Sequence, residues 1–168
     1  MEKKFETLVE KVRNYNFTAD IGKIKKAYHL ACQIHKGEKR LSGVSLLDHL
    51  LGVASLVADI HLDESSVIAA LLHESIRKGG HKAEDLEKMF GLEVRTFVEI
   101  LTSLSQTSFS PNDPRLGESV RKVFLLFSKD VRIALIRLAD KVENIKTAAS
   151  LPLKKRLWVA RQSLSFYA

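Results

Sequence analysis

The sequence predicts an all-α bundle, and three observations carry that reading. Apolar residues recur with helical period through nearly every segment of the 168-residue chain. Only three prolines occur, two of them close together in one short stretch. No Asn-Gly or Asp-Gly pair marks a tight hairpin. The expected architecture is a bundle of about eight to ten helices, forming one domain over residues 1–168. A chain of this length can bury a substantial core.

Phe5, Leu8, Val9 and Val12 predict a first short helix ending near Asn14–Asn16. Thr18 or Asp20 can cap a second, through Ile24, Ala27, Tyr28, Ala31 and Ile34 to His35, because a side-chain oxygen there satisfies free backbone N–H groups. Gly37 to Ser45 reads as a basic loop carrying Lys39 and Arg40. A third helix spans Leu46 to Ile60, with Leu47, Leu50, Val53, Ala54 and Val57 inward and His49 close to that face. Asp63 can cap a fourth that continues to Gly79-Gly80. Its Val67–Leu72 run is apolar almost all round, the pattern of a central helix.

Glu84 to Phe90 forms a short amphipathic helix closed by Gly91, and Leu92 to Leu104 resumes helical periodicity. Ser105 to Gly117 holds two prolines and a cluster of Ser, Thr, Asn and Asp, so a long loop is expected there. A helix over Glu118–Phe127 follows. Asp130 starts another, with Val131, Ala134, Leu135, Leu138 and Ala139 inward. The last begins near Pro152 and carries Leu153, Leu157, Trp158 and Leu164.

Hydrophobic residues make up 45% of the chain and charged residues 28%, an ordinary globular balance. No apolar run reaches the ~18 residues of a membrane span, and the charged N-terminus lacks a secretory pattern. A single cysteine, Cys32, excludes an internal disulfide. A cytoplasmic setting is therefore expected. The net charge of +7 favours an anionic partner. The cations are dispersed among acids without a stacking platform or a DNA-reading motif, so no direct nucleic-acid contact is expected.

Chemistry concentrates where His and acidic residues fall on core-facing helix stripes: His49, the pair His73-Glu74, and Asp140. Three helices around one core can bring these side chains together. Two imidazoles with one or two carboxylates suit Mn, Fe or Zn, and such an ion lowers the pKa of bound water. Each residue also has a plain reading. His49 alone can be a satisfied core histidine, and Asp140 can simply pair with Lys141 or Arg137. His29, His61 and His81 lack such company and read as surface or structural residues.

Several motifs add a resemblance. His35 to Gly43 (HKGEKRLSG), Asp48-His49, Ala69 to Glu74 (AALLHE), Glu118 to Lys122 and Lys129 to Thr147 are similar to the N-terminal hydrolase domain of the long RelA/SpoT family. These proteins make and degrade ppGpp and pppGpp. The resemblance covers about Ala27 to Ala168. It implies an all-helical HD-domain fold and a fragment of a longer chain whose synthetase part is absent. That synthetase domain would be the natural partner of this one.

The resemblance also places His49, His73, Glu74 and Asp140 on metal-ligand positions, with Mn²⁺ as the expected ion. It assigns Arg40, Ser42, Asn144 and Thr147 to a guanine-nucleotide pocket, with Arg40 stacking on the base and the others bonding base or sugar. Leu41 stands where the family often has Lys. Glu74 replaces the usual Asp, and its extra methylene displaces the oxygen by more than the ~0.2 Å tolerance of a well-formed site.

The larger departure follows Glu74. Active members carry a Glu-Asp pair, thought to help organise the attacking water, where this chain has Arg77 and Lys78. Beside a divalent ion at ~6 Å and an effective dielectric of ~20, each unit of charge is worth several kcal/mol before screening. Repulsion therefore replaces attraction, and a protonated Arg or Lys cannot take a proton from water. These cations favour an anion instead.

Three functions fit. The first is a degenerate, hydrolysis-inactive domain that binds metal weakly or not at all and serves as a regulatory or nucleotide-binding module of a GTP pyrophosphokinase. The second is an active metal-dependent 3′-pyrophosphohydrolase in which Glu84 or Asp85 serves the water. The third is a protein-interaction module using the basic surface and the Ser105–Gly117 loop.

Overall fold

The computed structural model describes residues 2–40, 42–80, 82–106, 116–149 and 151–167, without the side chains at 78, 116, 119, 120, 122, 158 and 162–167. Leu41, His81, residues 107–115 of the expected loop, and the side chains of Lys78, Trp158 and Leu164 thus lie outside the described set. The described residues form helices α1 (Glu2–Tyr15), α2 (Ile21–Ile34), α3 (Leu46–Asp59), α4 (Glu64–Leu72), α5 (Ser75–Gly79), α6 (Ala83–Phe90), α7 (Leu92–Gln106), α8 (Leu116–Lys129), α9 (Val131–Ala148) and α10 (Leu153–Tyr167). They contain no strand beyond one isolated antiparallel bridge between Lys39 and Ser45.

Three aspartates start helices by the capping chemistry their positions suggested. Asp20 accepts from the Lys23 amide at 3.0 Å, Asp63 from Ser66 at 3.0 Å, and Asp130 from Arg132 at 2.9 Å. α4 is the centre of the bundle. Every residue from Ser66 to Leu72 is buried, and α2, α3, α7 and α9 all pack against it. Burial of each large aliphatic side chain there contributes ~1.5–3 kcal/mol against exposure to water.

The fourth helix does not run unbroken to Gly79. It stops at Leu72, and α5 restarts at Ser75. The His73 ring bonds the Ala70 carbonyl at 2.8 Å, and the Ser75 hydroxyl donates to the Leu72 carbonyl at 2.6 Å. Side chains thus occupy carbonyls at the end of the last turn, and the chain turns where the two chemically interesting residues stand.

α9 also corrects an expectation. Val131 is 66% exposed and Leu138 41%, whereas Ile133, Ile136, Arg137, Ala139 and Asp140 are buried. Residues 133, 136, 137 and 140 follow the i, i+3, i+4, i+7 rule of one helix face. Turning that face inward carries Asp140 to the core and forces Val131 and Leu138 outward. α9 lies close on α3 at Gly52, where an added Cβ would meet the Glu143 carboxyl group at 2.6 Å. Gly52 thus leaves room on α3 for the Glu143 carboxyl group of α9.

Candidate functional site

His49, His73 and Asp140 converge from α3, the end of α4, and α9. One ligating atom from each lies within 4.8 Å of the others, and all three residues are buried. Asp140 Oδ1 sits 3.2 Å from His49 Nε2 and 3.9 Å from His73 Nε2. The two imidazole rings stand edge to face at 5.7 Å.

The protonation pattern follows from the partners. A carbonyl only accepts, so His73 Nδ1 carries the proton it gives to Ala70 O, and Nε2 is the ring nitrogen turned toward Asp140. Burial pulls the His49 pKa down to about 4, with Arg40 and His73 assisting and Asp140 opposing. His49 is therefore neutral at neutral pH. Burial opposes ionisation of Asp140, yet its imidazole neighbours and Arg137 hold its carboxyl well below the usual carboxylate range. The Asp140 carboxylate thus faces the Nε2 atoms of two imidazoles, of which His49 is neutral at neutral pH. Neither Nε2 has a well-formed hydrogen bond, although His49 Nε2 stands 3.2 Å from Asp140 Oδ1. Buried ring nitrogens left without partners around one carboxylate oxygen are costly unless a ligand joins them. This set of two nitrogens and one oxygen fits a divalent metal ion.

Glu74 stands at the edge of this group. Its Oε1 is 4.0 Å from His73 Nε2, and its other oxygen accepts from the Arg77 guanidinium. Thus Arg77, at the position of an expected acid, has closed on the fourth candidate ligand and neutralises it. The Lys78 side chain is outside the described residues, so its place beside the site is not specified.

The candidate pocket residues abut the triad. The loop before α3 closes in a tight turn, with Arg40 N donating to Val44 O and Gly43 N to Arg40 O, each at 2.9 Å. Gly43 takes φ +81°, a left-handed conformation that a side chain would resist. Arg40 then donates to Asn144 Oδ1, and Asn144 Nδ2 donates to Asp140 Oδ1 at 3.2 Å. Burial pulls the Arg40 pKa down, opposed by Asp140, Glu74 and Glu143 and reinforced by Arg77. Ser42 Oγ is buried without a hydrogen-bond partner. The Thr147 hydroxyl turns back to its own helix, onto the Glu143 and Asn144 carbonyls at 3.0 and 3.2 Å.

His29, His61, Glu84 and Asp85 stand apart from the triad. His29 and His61 are exposed, the latter stacked on Tyr15 at 4.7 Å. Glu84 lies 4.0 Å from Arg95 and Asp85 3.9 Å from Lys88, both largely exposed on α6. Arg137 is the participant the sequence underplayed. It is buried and donates to Asp140 Oδ2 at 2.7 Å. Its spacing of three from Asp140 on one helix face was the available signal.

Comparison with known proteins bears on the family and the fold. A family model described as HD domain matches residues 27–168. The chain belongs to the HD-domain family. Over 168 residues this HD domain is 35% identical to the GTP pyrophosphokinase rsh of Brucella melitensis, covering 100% of the chain and 22% of that protein. Over 164 residues it is 33% identical to the bifunctional (p)ppGpp synthase/hydrolase SpoT of Escherichia coli K12, covering 98% of the chain and 23% of that protein. The chain therefore spans under a quarter of the length of these relatives. Among solved structures, it is similar to a metazoan orthologue of SpoT described as hydrolysing ppGpp and playing a role in starvation responses. The TM-score is 0.65 at 22% identity, covering 85% of this chain and 82% of that one, a likeness of fold.

Proposed function

We propose that this HD domain binds a (p)ppGpp-type guanine nucleotide beside a divalent metal ion and does not hydrolyse it at turnover rates. In this reading it serves as a regulatory or nucleotide-binding module in guanosine tetraphosphate metabolism, alongside a synthetase domain in a longer chain. The observation that carries the reading is the Arg77–Glu74 ion pair at the rim of an otherwise assembled His49–His73–Asp140 triad.

His49 Nε2, His73 Nε2 and Asp140 Oδ1 would hold the ion, with Mn²⁺ the expected occupant. Such an ion, when bound, polarises phosphoryl oxygens and acidifies bound water. Arg40 supplies a planar cation for the base, and Ser42, Asn144 and Thr147 supply hydroxyl and amide groups for base or sugar. Arg77 attracts the 3′-diphosphate. It also neutralises Glu74 at the edge of the site, and a guanidinium cannot accept a proton from the attacking water. Binding is therefore retained where proton removal is lost.

The test is direct. The purified chain, incubated with ppGpp and Mn²⁺, should release GDP at no more than background rate, while ppGpp should raise its melting temperature through preferential binding to the folded state. GDP release at turnover rates would overturn the inactive reading, and an unchanged melting temperature would overturn nucleotide binding. The double variant Arg77→Glu, Lys78→Asp should gain GDP release by about 10²-fold, the usual worth of positioned acid–base groups.

A further inference from the structure

Arg137 has a use beyond neutralising a buried acid. The residue is 7% exposed in the middle of α9, one turn before Asp140. One arm of its guanidinium, Nη1, donates to Asp140 Oδ2 at 2.7 Å. The other, Nη2, reaches the Leu104 carbonyl at 3.5 Å. Leu104 lies in the last turn of α7, where carbonyls lack partners within the helix. Arg137 therefore spans from the end of α7 to the carboxyl group of α9, and its planar fork fixes direction as well as distance.

The two oxygens of Asp140 are thereby divided. Oδ2 is held by Arg137, while Oδ1 faces His49 Nε2, His73 Nε2 and the Asn144 amide. Resting on the reading of the triad as a metal centre, we infer that Arg137 is a positioning residue for metal binding, anchored on α7 and presenting Asp140 as a one-oxygen ligand to the two imidazoles. Charge alone argues the other way. A guanidinium on the far oxygen of a ligand repels a divalent ion, so simple electrostatics predicts that removing it strengthens binding. The geometry predicts that removing it weakens binding, because Asp140 loses the partner that fixes its orientation.

The sign of the change decides between them. Mn²⁺ alone is titrated calorimetrically into the full chain, into Arg137→Met and into Arg137→Lys, with thermal unfolding recorded for each. Arg137→Met is expected to raise the Mn²⁺ dissociation constant about tenfold or more, as other outer partners of metal ligands do. Arg137→Lys keeps the charge but replaces the fork by a point donor, so it should fall between that variant and the wild type. Equal or tighter Mn²⁺ binding by a folded Arg137→Met overturns the inference, even if its melting temperature falls. Where Arg137→Met shows no cooperative unfolding, Arg137→Lys decides: weaker binding than wild type upholds the role, and equal or tighter binding overturns it. Absence of Mn²⁺ binding by the wild type overturns the metal-centre reading on which the inference rests, a result separate from any variant.

Discussion

Two arginine–carboxylate assemblies meet α9, and they are built on opposite principles. At its start, Arg132 bonds Asp130 through Nε at 3.0 Å and Nη2 at 2.6 Å, Glu93 at 2.6 Å, and Asp63 through Nη1, while its carbon centre lies 4.8 Å from the Phe97 ring. Every guanidinium nitrogen has an anionic partner, and the side chain is still 27% exposed. Two turns later, Arg137 and Asp140 sit in the core beside two imidazoles whose Nε2 atoms have no hydrogen-bond partner. The first assembly is saturated, and ties α4, α7 and α9 together. The second leaves donor atoms facing one another, which the interior tolerates where a ligand can join them. Saturation marks a structural junction, and its absence marks a site.

Removing Asp140 should break the contrast most sharply. Asp140→Ala strands the buried Arg137 charge, so it should lower unfolding free energy by about 3–5 kcal/mol in denaturant titrations. The same variant should abolish detectable Mn²⁺ binding by calorimetry. Arg132→Met should cost about 1–2 kcal/mol, because its partners remain hydrated and the network is screened by salt. Its effect should shrink as NaCl is raised, and its Mn²⁺ affinity should match the wild type. A Mn²⁺ affinity that falls with Arg132→Met would erase the distinction between junction and site.

The smallest effect concerns pH. The Arg132 side chain bonds Asp130 and holds its pKa below 3.8, with its backbone bond to Arg132 assisting and burial opposing. A carboxylate whose folded pKa is depressed contributes stability above its unfolded value, lost as pH falls through the folded one. Asp130→Asn should therefore lower the melting temperature at neutral pH, and the gap should narrow below about pH 3.8. A gap that stays constant down to pH 2 would show that the cap, rather than the charge, carries the contribution.

Much of this was legible in the chain. The aspartate caps were readable because an N-cap depends on residues two or three apart. The apolar Val67–Leu72 run announced a central helix for a similarly local reason. The motif at His73-Glu74 and the cations after it were visible as departures from a family pattern. The outward turn of Val131 and Leu138 was not legible, because several faces of α9 carry apolar residues and only its neighbours choose among them. Nor was the break between Leu72 and Ser75, which depends on side chains reaching carbonyls of the preceding turn.

By itself the sequence determined the helices, most of their starts, and which residue types were available for metal and nucleotide chemistry, since those follow from local periodicity and composition. Only the tertiary structure decided that Asp140 offers Oδ1 to two imidazoles while Arg137 takes Oδ2, and that Arg77 closes on Glu74. For the triad the reason is distance along the chain. His49 and Asp140 belong to helices far apart in the chain, and they meet because α3 packs on α9. For Arg77 the reason is choice among partners. A side chain three residues from Glu74 can reach it or turn away, and only the folded structure shows that it reaches.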